Sequence, residues 1–345
     1  MDKYIEQDCR EYIDRIDFSP LKNKTVLITG ANGLIGTYLI YMLHLANTVK
    51  NAGINIEAVS RNVPNKALAG IFADGHRFYS MDLNSANWDY FENRADFIIH
   101  GATYAQPGKF LRNYLDTIQL NTGVTETLLK KAKNDGAAFL FMSSSEIYGE
   151  PDEENIPTPE SYPGLCSPVN VRAIYSESKR MGETICFAYR NFENVNAKVA
   201  RISMTYGPGV TTGDERVLAQ FIKQALEKNS IEMLDDGRKV RTFCYISDAA
   251  RMLLEILMQG KDMVYNVGGK DSISIRNLAE EICSITGSSL TVAAAKQTAM
   301  ENVKVSPERV ELDINKICTE FGITDFKPFR EGLKRTIEWN REVLG

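Results

Sequence analysis

Residues 25–36 read Thr25-Val-Leu-Ile-Thr29-Gly30-Ala-Asn-Gly33-Leu-Ile-Gly36, a β-branched apolar run that passes into three glycines at fixed spacing. The run predicts a buried strand, and Tyr38, Leu39, Ile40, Met42, Leu43 and Leu45 beyond it predict a helix. In a strand, glycine turn and helix of this kind, backbone free of side chains can approach a pyrophosphate, and the helix amino end stabilises its charge. Working outward, short apolar runs at 56–59, 78–81, 97–99, 139–142 and 199–202 alternate with helical stretches. That rhythm predicts an α/β fold: a doubly wound parallel sheet of the Rossmann type with a smaller α/β lobe.

The chain of 345 residues is long enough for about two domains. Hydrophobic residues at 43% and charged residues at 25% are the balance of a folded protein. With 45 acidic against 40 basic side chains and a formal net charge of −5, a broad basic face for nucleic acid is not expected. Six scattered cysteines with no Cys-x-x-Cys fit reduced thiols in the cytoplasm, and three histidines at no ligand-like spacing predict no metal site. Acidic residues interrupt the amino end, and no long apolar run occurs, so neither a signal peptide nor a membrane span is expected.

We expect three parts. Residues 1–23 form an amino-terminal extension, with an amphipathic helix over 2–17 that packs on the body. Residues 24–205 form the NAD(P)-binding domain. Residues 206–345 form the substrate lobe, with helices near 215–228, 247–259, 276–286 and 329–342 and with late segments returning to the first sheet. The Pro- and acid-rich segment 151–159 reads as an exposed loop.

Three constellations carry chemistry. Gly30, Gly33 and Gly36 form the phosphate turn. At the end of the second strand, where an acidic residue would hold an adenosine ribose, stand Ser60 and Arg61, which leans toward a 2′-phosphate; Asp82 and Leu83 come just after the third strand and suit the adenine edge. Tyr175 and Lys179 lie one helical turn apart on one face, where the cation is expected to lower the phenol pKa. Ser143-Ser144-Ser145-Glu146 follows a predicted strand at its carboxyl end, where doubly wound sheets place ligands.

Together with Ala200-Arg-Ile-Ser-Met-Thr-Tyr-Gly-Pro208 and Arg241-Thr-Phe-Cys-Tyr-Ile-Ser-Asp248, these motifs resemble the extended short-chain dehydrogenase/reductase (epimerase/dehydratase) family over residues 24 to about 340. The resemblance implies NAD or NADP as cofactor, held by Gly30, Asn32, Gly33, Leu34, Ile35, Gly36, Ser60, Arg61, Asp82, Leu83, Gly101, Tyr175 and Lys179. It implies a nucleotide-sugar substrate whose C4 hydroxyl is transiently oxidised. It also implies a homodimer through the helices at 114–133 and 175–192.

Within that family, Tyr162 to Arg180 is similar to the corresponding segment of UDP-glucuronate decarboxylases, in which an Arg precedes the catalytic Tyr by three residues, as Arg172 precedes Tyr175 here. A guanidinium there suits a substrate carboxylate. The implied catalytic residues are Ser144, Glu146, Tyr175, Lys179 and Arg241; the implied substrate contacts are Ser145, Arg172, Met204, Arg216 and Arg241. Met204 departs from the pattern, because the decarboxylases carry Asn there. The expected function is decarboxylation of UDP-glucuronate to a UDP-pentose. The alternatives are a 4-epimerase or 4,6-dehydratase acting on another nucleotide sugar, and a non-catalytic NAD(P)-binding regulator.

Overall fold

The structure is a computed structural model that describes residues 1–73, 75–86, 91, 93–210, 213–292 and 307–344. Thr25–Thr29 (β1) is the buried strand read above, and it pairs in parallel with both β2 (Asn55–Ser60) and β4 (Phe97–His100). Outward from β2 lies β3 (Arg77–Ser80); outward from β4 lie β5 (Ala138–Ser144), β6 (Ala197–Ile202) and finally β10 (Val264–Val267), giving the order β10-β6-β5-β4-β1-β2-β3. Every pairing in this seven-stranded sheet is parallel. The order reverses between β1 and β4, so a crevice opens at their carboxyl ends, beside Gly30 and Gly101.

Helices cover both faces of the sheet, as a parallel sheet requires. One face carries α2 (Leu34–Lys50) and α9 (Ile246–Gln259), which pack on each other. The other carries α5 (Tyr114–Asn121), α6 (Gly123–Asp135) and α7 (Ala173–Phe192). Short helices α3 (Ala69–Ala73) and α4 (Pro107–Arg112) follow β2 and β4, and α11 (Asn315–Phe321) lies against β10. Beyond the large sheet, β9 (Val240–Tyr245) pairs with β7 (Met204–Tyr206), β11 (Ser272–Ser274) and β13 (Arg309–Val310), while β8 (Ser230–Met233) pairs with β12 (Ser289–Val292). With α8 (Val217–Lys228), α10 (Ile275–Thr286) and α12 (Phe329–Leu344) these strands enclose a separate apolar cluster around Phe221, Ile222, Phe243 and Ile337.

Three expectations need correction. The amino-terminal helix α1 covers only Lys3–Arg10, followed by a 3-10 turn at Ile13–Arg15; its buried face carries Asp8 as well as Ile5 and Cys9. Asp8 is held by Tyr38, Tyr245 and Arg335, so polar contacts anchor α1 to the body alongside its apolar packing. The helix expected over 114–133 is two, broken at Thr122 (φ −118°, ψ −77°), where β-branching and the following Gly123 weaken the helical backbone. Segment 151–159 is not wholly exposed: Thr158 is buried and exchanges backbone hydrogen bonds with Glu311 and Asp313.

Candidate active site

Gly30 adopts φ +77°, and a Cβ there would stand 2.7 Å from the backbone of Gly101. At Gly36 a Cβ would meet the Gly30 carbonyl oxygen at 2.4 Å, so the first turn of α2 lies directly on the strand end. Gly33 caps α2 without a side chain, and the first turn holds no acid, leaving amide groups and a positive helix end. These residues fit a dinucleotide pyrophosphate: glycines at 30 and 36, where a Cβ would strike neighbouring backbone, keep the turn tight, and the amino end of α2 favours an anion. Leu34 and Ile35 begin α2 and pack partly on the core. Gly101 donates its N–H to the Thr29 carbonyl.

Around the cradle, several expected contacts serve the protein itself. The Asn32 side chain donates to the carbonyls of Asn62 and Val63 and accepts from the Asn65 N–H, tying the glycine turn to the loop after β2. Arg61 lies over the Tyr104 ring, 4.7 Å from its centroid, and donates to the Tyr104 hydroxyl. Ser60 ends β2, and its carbonyl accepts from Met81. Asp82 caps a turn by accepting from Asn84 N–H, and Leu83 is buried.

Ser144 ends β5, and Tyr175 stands in the first turn of α7, which packs on that strand. The Tyr175 ring stacks on Phe110, with centroids 5.3 Å apart and planes 12° apart. Burial pushes the phenol up to about 12, and a hydrogen bond with Ser144 offsets only part of that. One turn on, Lys179 donates to the Met142 carbonyl at 2.6 Å, with its Nζ 6.0 Å from the Tyr175 ring centroid. Burial pushes Lys179 down to about 7. The expected lowering of the phenol pKa by Lys179 is therefore not what the structure shows: desolvation dominates both groups.

Glu146 sits with half-buried Ser145 in a 3-10 turn just after β5. Arg172, at the amino end of α7, donates from Nη2 to both Glu146 oxygens at 2.6 Å. Arg241, half-buried on β9, donates to the carbonyls of Val240 and Pro307 at 2.7 Å and Glu308 at 3.2 Å. Burial lowers its pKa, the Glu146 charge opposes that, and the Arg172 charge adds to it. The structure thus brings Ser144, Glu146, Arg172, Tyr175 and Lys179 to one sheet end, with Arg241 in the same field. Arg216 is held by Asp214, yet its charge still acts to lower the Tyr175 phenol. Met204 packs on the apolar cluster of the smaller sheet, paired with Phe243.

Sequence reading missed several supports. Phe110 backs the Tyr175 ring. His100 bridges Thr29 and the Leu120 carbonyl, and burial lowers its pKa to about 3, which keeps it neutral. Glu183, one turn beyond Lys179, accepts from Ser143 and from Arg201. That spacing was the only available signal for it. Thr103 and Gln106 carry buried side-chain oxygens without partners among the described residues, on the segment just after β4.

Comparison with known proteins matches residues 26–268 to the NAD dependent epimerase/dehydratase family. UDP-glucuronic acid decarboxylase 5 of Arabidopsis thaliana is 32% identical over 335 residues, covering 95% of this chain and 94% of its own. UDP-glucuronic acid decarboxylase 1 of Xenopus tropicalis is 30% identical, over 100% of this chain and 82% of its own. Among solved structures, DesIV, the dTDP-glucose 4,6-dehydratase of Streptomyces venezuelae with NAD bound, superposes with a TM-score of 0.79 at 25% identity over 92% of this chain and 97% of its own. The UDP-glucuronic acid 4-epimerase of Bacillus cereus, in complex with UDP-glucuronic acid and NAD, has the same fold: TM-score 0.78, 23% identity, 92% and 99% coverage.

Proposed function

Because the chain belongs to the NAD dependent epimerase/dehydratase family, we propose that it is a nucleotide-sugar enzyme that decarboxylates UDP-glucuronate to a UDP-pentose. The observation that carries this reading is Arg172, a guanidinium one helical turn before Tyr175, at the place where a sugar carboxylate needs a two-pronged cation and a neutral hexose does not.

NAD, when bound on the glycine turn, supplies reversible oxidation of the sugar C4 alcohol to a ketone. Tyr175 takes the O4 proton, with Ser144 sharing the hydrogen bond, and its ring is held in place by Phe110. Lys179, anchored on the Met142 carbonyl, orients the ribose side of the cofactor site. A carboxylate at C5 is then β to the ketone, so the C5–C6 bond breaks and its electrons enter an enolate. Glu146, directly or through water, delivers the C5 proton, and Arg241 offers charge near the same carbon or the diphosphate. Ser145 and Arg216 are further substrate contacts in this reading.

The proposed cofactor is NAD rather than NADP, since Arg61, the candidate for a 2′-phosphate, is engaged on Tyr104. We assign the protein to the cytoplasm, in keeping with its six free thiols. No helix among the described residues is long and apolar enough to cross a membrane. We also propose a homodimer: α5 and α7 pack side by side and expose Leu115, Ile118, Met181 and Phe187 as an apolar surface.

Met204 favours a second reading, a 4-epimerase or 4,6-dehydratase, because it brings a thioether where decarboxylases carry an amide. Arg172→Ala separates the two. It weakens UDP-glucuronate turnover if the sugar carboxylate is bound there, and leaves activity on a neutral sugar intact if it is not.

A further inference from the structure

Glu146 and Arg172 hold each other in a two-oxygen, charge-assisted pair, half-buried and beside Tyr175. In that arrangement the two residues face each other rather than a substrate. Both Glu146 oxygens are spent on the Arg172 Nη2, so the carboxylate is turned to its cation rather than to a substrate carbon, and that nitrogen is closed to a substrate carboxylate. A single exchange frees both residues.

We propose that the carboxylate of the nucleotide sugar displaces Glu146 from Arg172, and that Glu146 leaves the pair as the neutral acid after taking a proton from solvent. The inference rests on the decarboxylase reading above. Removed from its cation and set beside a second carboxylate, Glu146 faces like-charge repulsion that a proton relieves, so the exchange couples substrate binding to proton uptake. Loss of carbon dioxide then breaks C5–C6, the electron pair passes through the enolate to C5, and the Glu146 proton completes the C5–H bond. With the substrate carboxylate gone, the Glu146 anion returns to Arg172. One proton is consumed per carbon dioxide formed, and nothing is oxidised or reduced in this step. A neutral sugar leaves the pair closed, so the proton donor is armed only for a carboxylated substrate.

The other groups around Glu146 leave this exchange open. Arg241 on β9 acts on Glu146 through space, but its Nη atoms already donate to the carbonyls of Val240, Pro307 and Glu308. Ser144 Oγ accepts from the Glu146 N–H, Cys166 Sγ donates to the Glu146 carbonyl, and Arg180 reaches the Ile147 carbonyl; all three engage backbone and leave the carboxylate to Arg172. The Tyr175 phenol feels the Glu146 charge, which adds to its reluctance to ionise, and removing that charge favours the phenolate.

Calorimetric titration of NAD-loaded Tyr175→Phe protein, in two buffers of different ionisation heat near neutral pH, reads proton uptake on binding without turnover. The exchange predicts uptake approaching one proton for UDP-glucuronate, none for UDP-glucose, and none for UDP-glucuronate when Glu146→Gln is added. Equal uptake for the two sugars, no uptake, or uptake that survives Glu146→Gln overturns it. Carbon dioxide release by the wild type is scored separately. Release without proton uptake refutes the exchange and keeps the decarboxylase reading; uptake without release keeps the exchange and refutes that reading.

Discussion

At the residue scale, the phenol of Tyr175 and the ammonium of Lys179 are set by burial more than by each other. Tyr175 is pushed up to about 12 and Lys179 down to about 7. The protein without NAD should therefore show no tyrosinate from Tyr175 at neutral pH. A difference spectrum of wild type against Tyr175→Phe should stay flat in the ultraviolet until strongly alkaline pH, and a step near neutrality would contradict the burial argument. Removing the hydroxyl should cost about 10²–10⁴-fold in kcat, read by carbon dioxide release. The motif residues Tyr175 and Lys179 were legible because their spacing is local. The pairing of Glu146 with Arg172 was not, since 26 residues and an irregular segment separate them.

At the element scale, the parallel sheet and its glycine turn were plain in the sequence because β-branched runs and glycines act over a few residues. Gly36→Ala tests how closely α2 rests on β1: the added methyl would meet the Gly30 carbonyl at 2.4 Å, backbone against side chain, with nothing flexible to yield. We expect a loss of about 1–3 kcal/mol in stability, read by denaturant midpoint, together with weakened NAD binding. The attachment of α7 to the sheet was hidden for a different reason. Glu183 meets Arg201 and Ser143 at the β5–β6 end, and a buried ion pair leaves no periodic trace. Glu183→Ala strands the Arg201 charge and should cost about 3–5 kcal/mol. Survival of full stability in that variant would show the pair to be dispensable.

At the scale of the whole molecule, residues far apart in the chain are closed by polar contacts that no local pattern reports. Asp8 of α1 accepts from Tyr38 on α2, Tyr245 on β9 and Arg335 on α12; Tyr12 donates to Asp248 on α9, and Asp248 also receives the Lys327 N–H. The amino-terminal segment thereby fastens the two sheets' helices together. Burial raises Asp248 from 3.8 to about 6, so the folded protein retains a proton that the unfolded chain releases. That contribution is fully present below about pH 4 and is lost as pH climbs toward 6. Relative to Asp248→Asn, the wild type should lose about 3 kcal/mol across that window, measured by urea midpoints; a pH-independent difference would contradict it.

The reading proposed for this sheet end is removal of carbon dioxide from a carboxylated nucleotide sugar. The direct measurement is incubation of the purified protein with NAD and UDP-glucuronate, following the sugar nucleotide by mass spectrometry. The product should be lighter by one carbon dioxide, with its formation abolished in Tyr175→Phe and weakened in Arg172→Ala. A product of unchanged mass, or one that has lost only water, would contradict it.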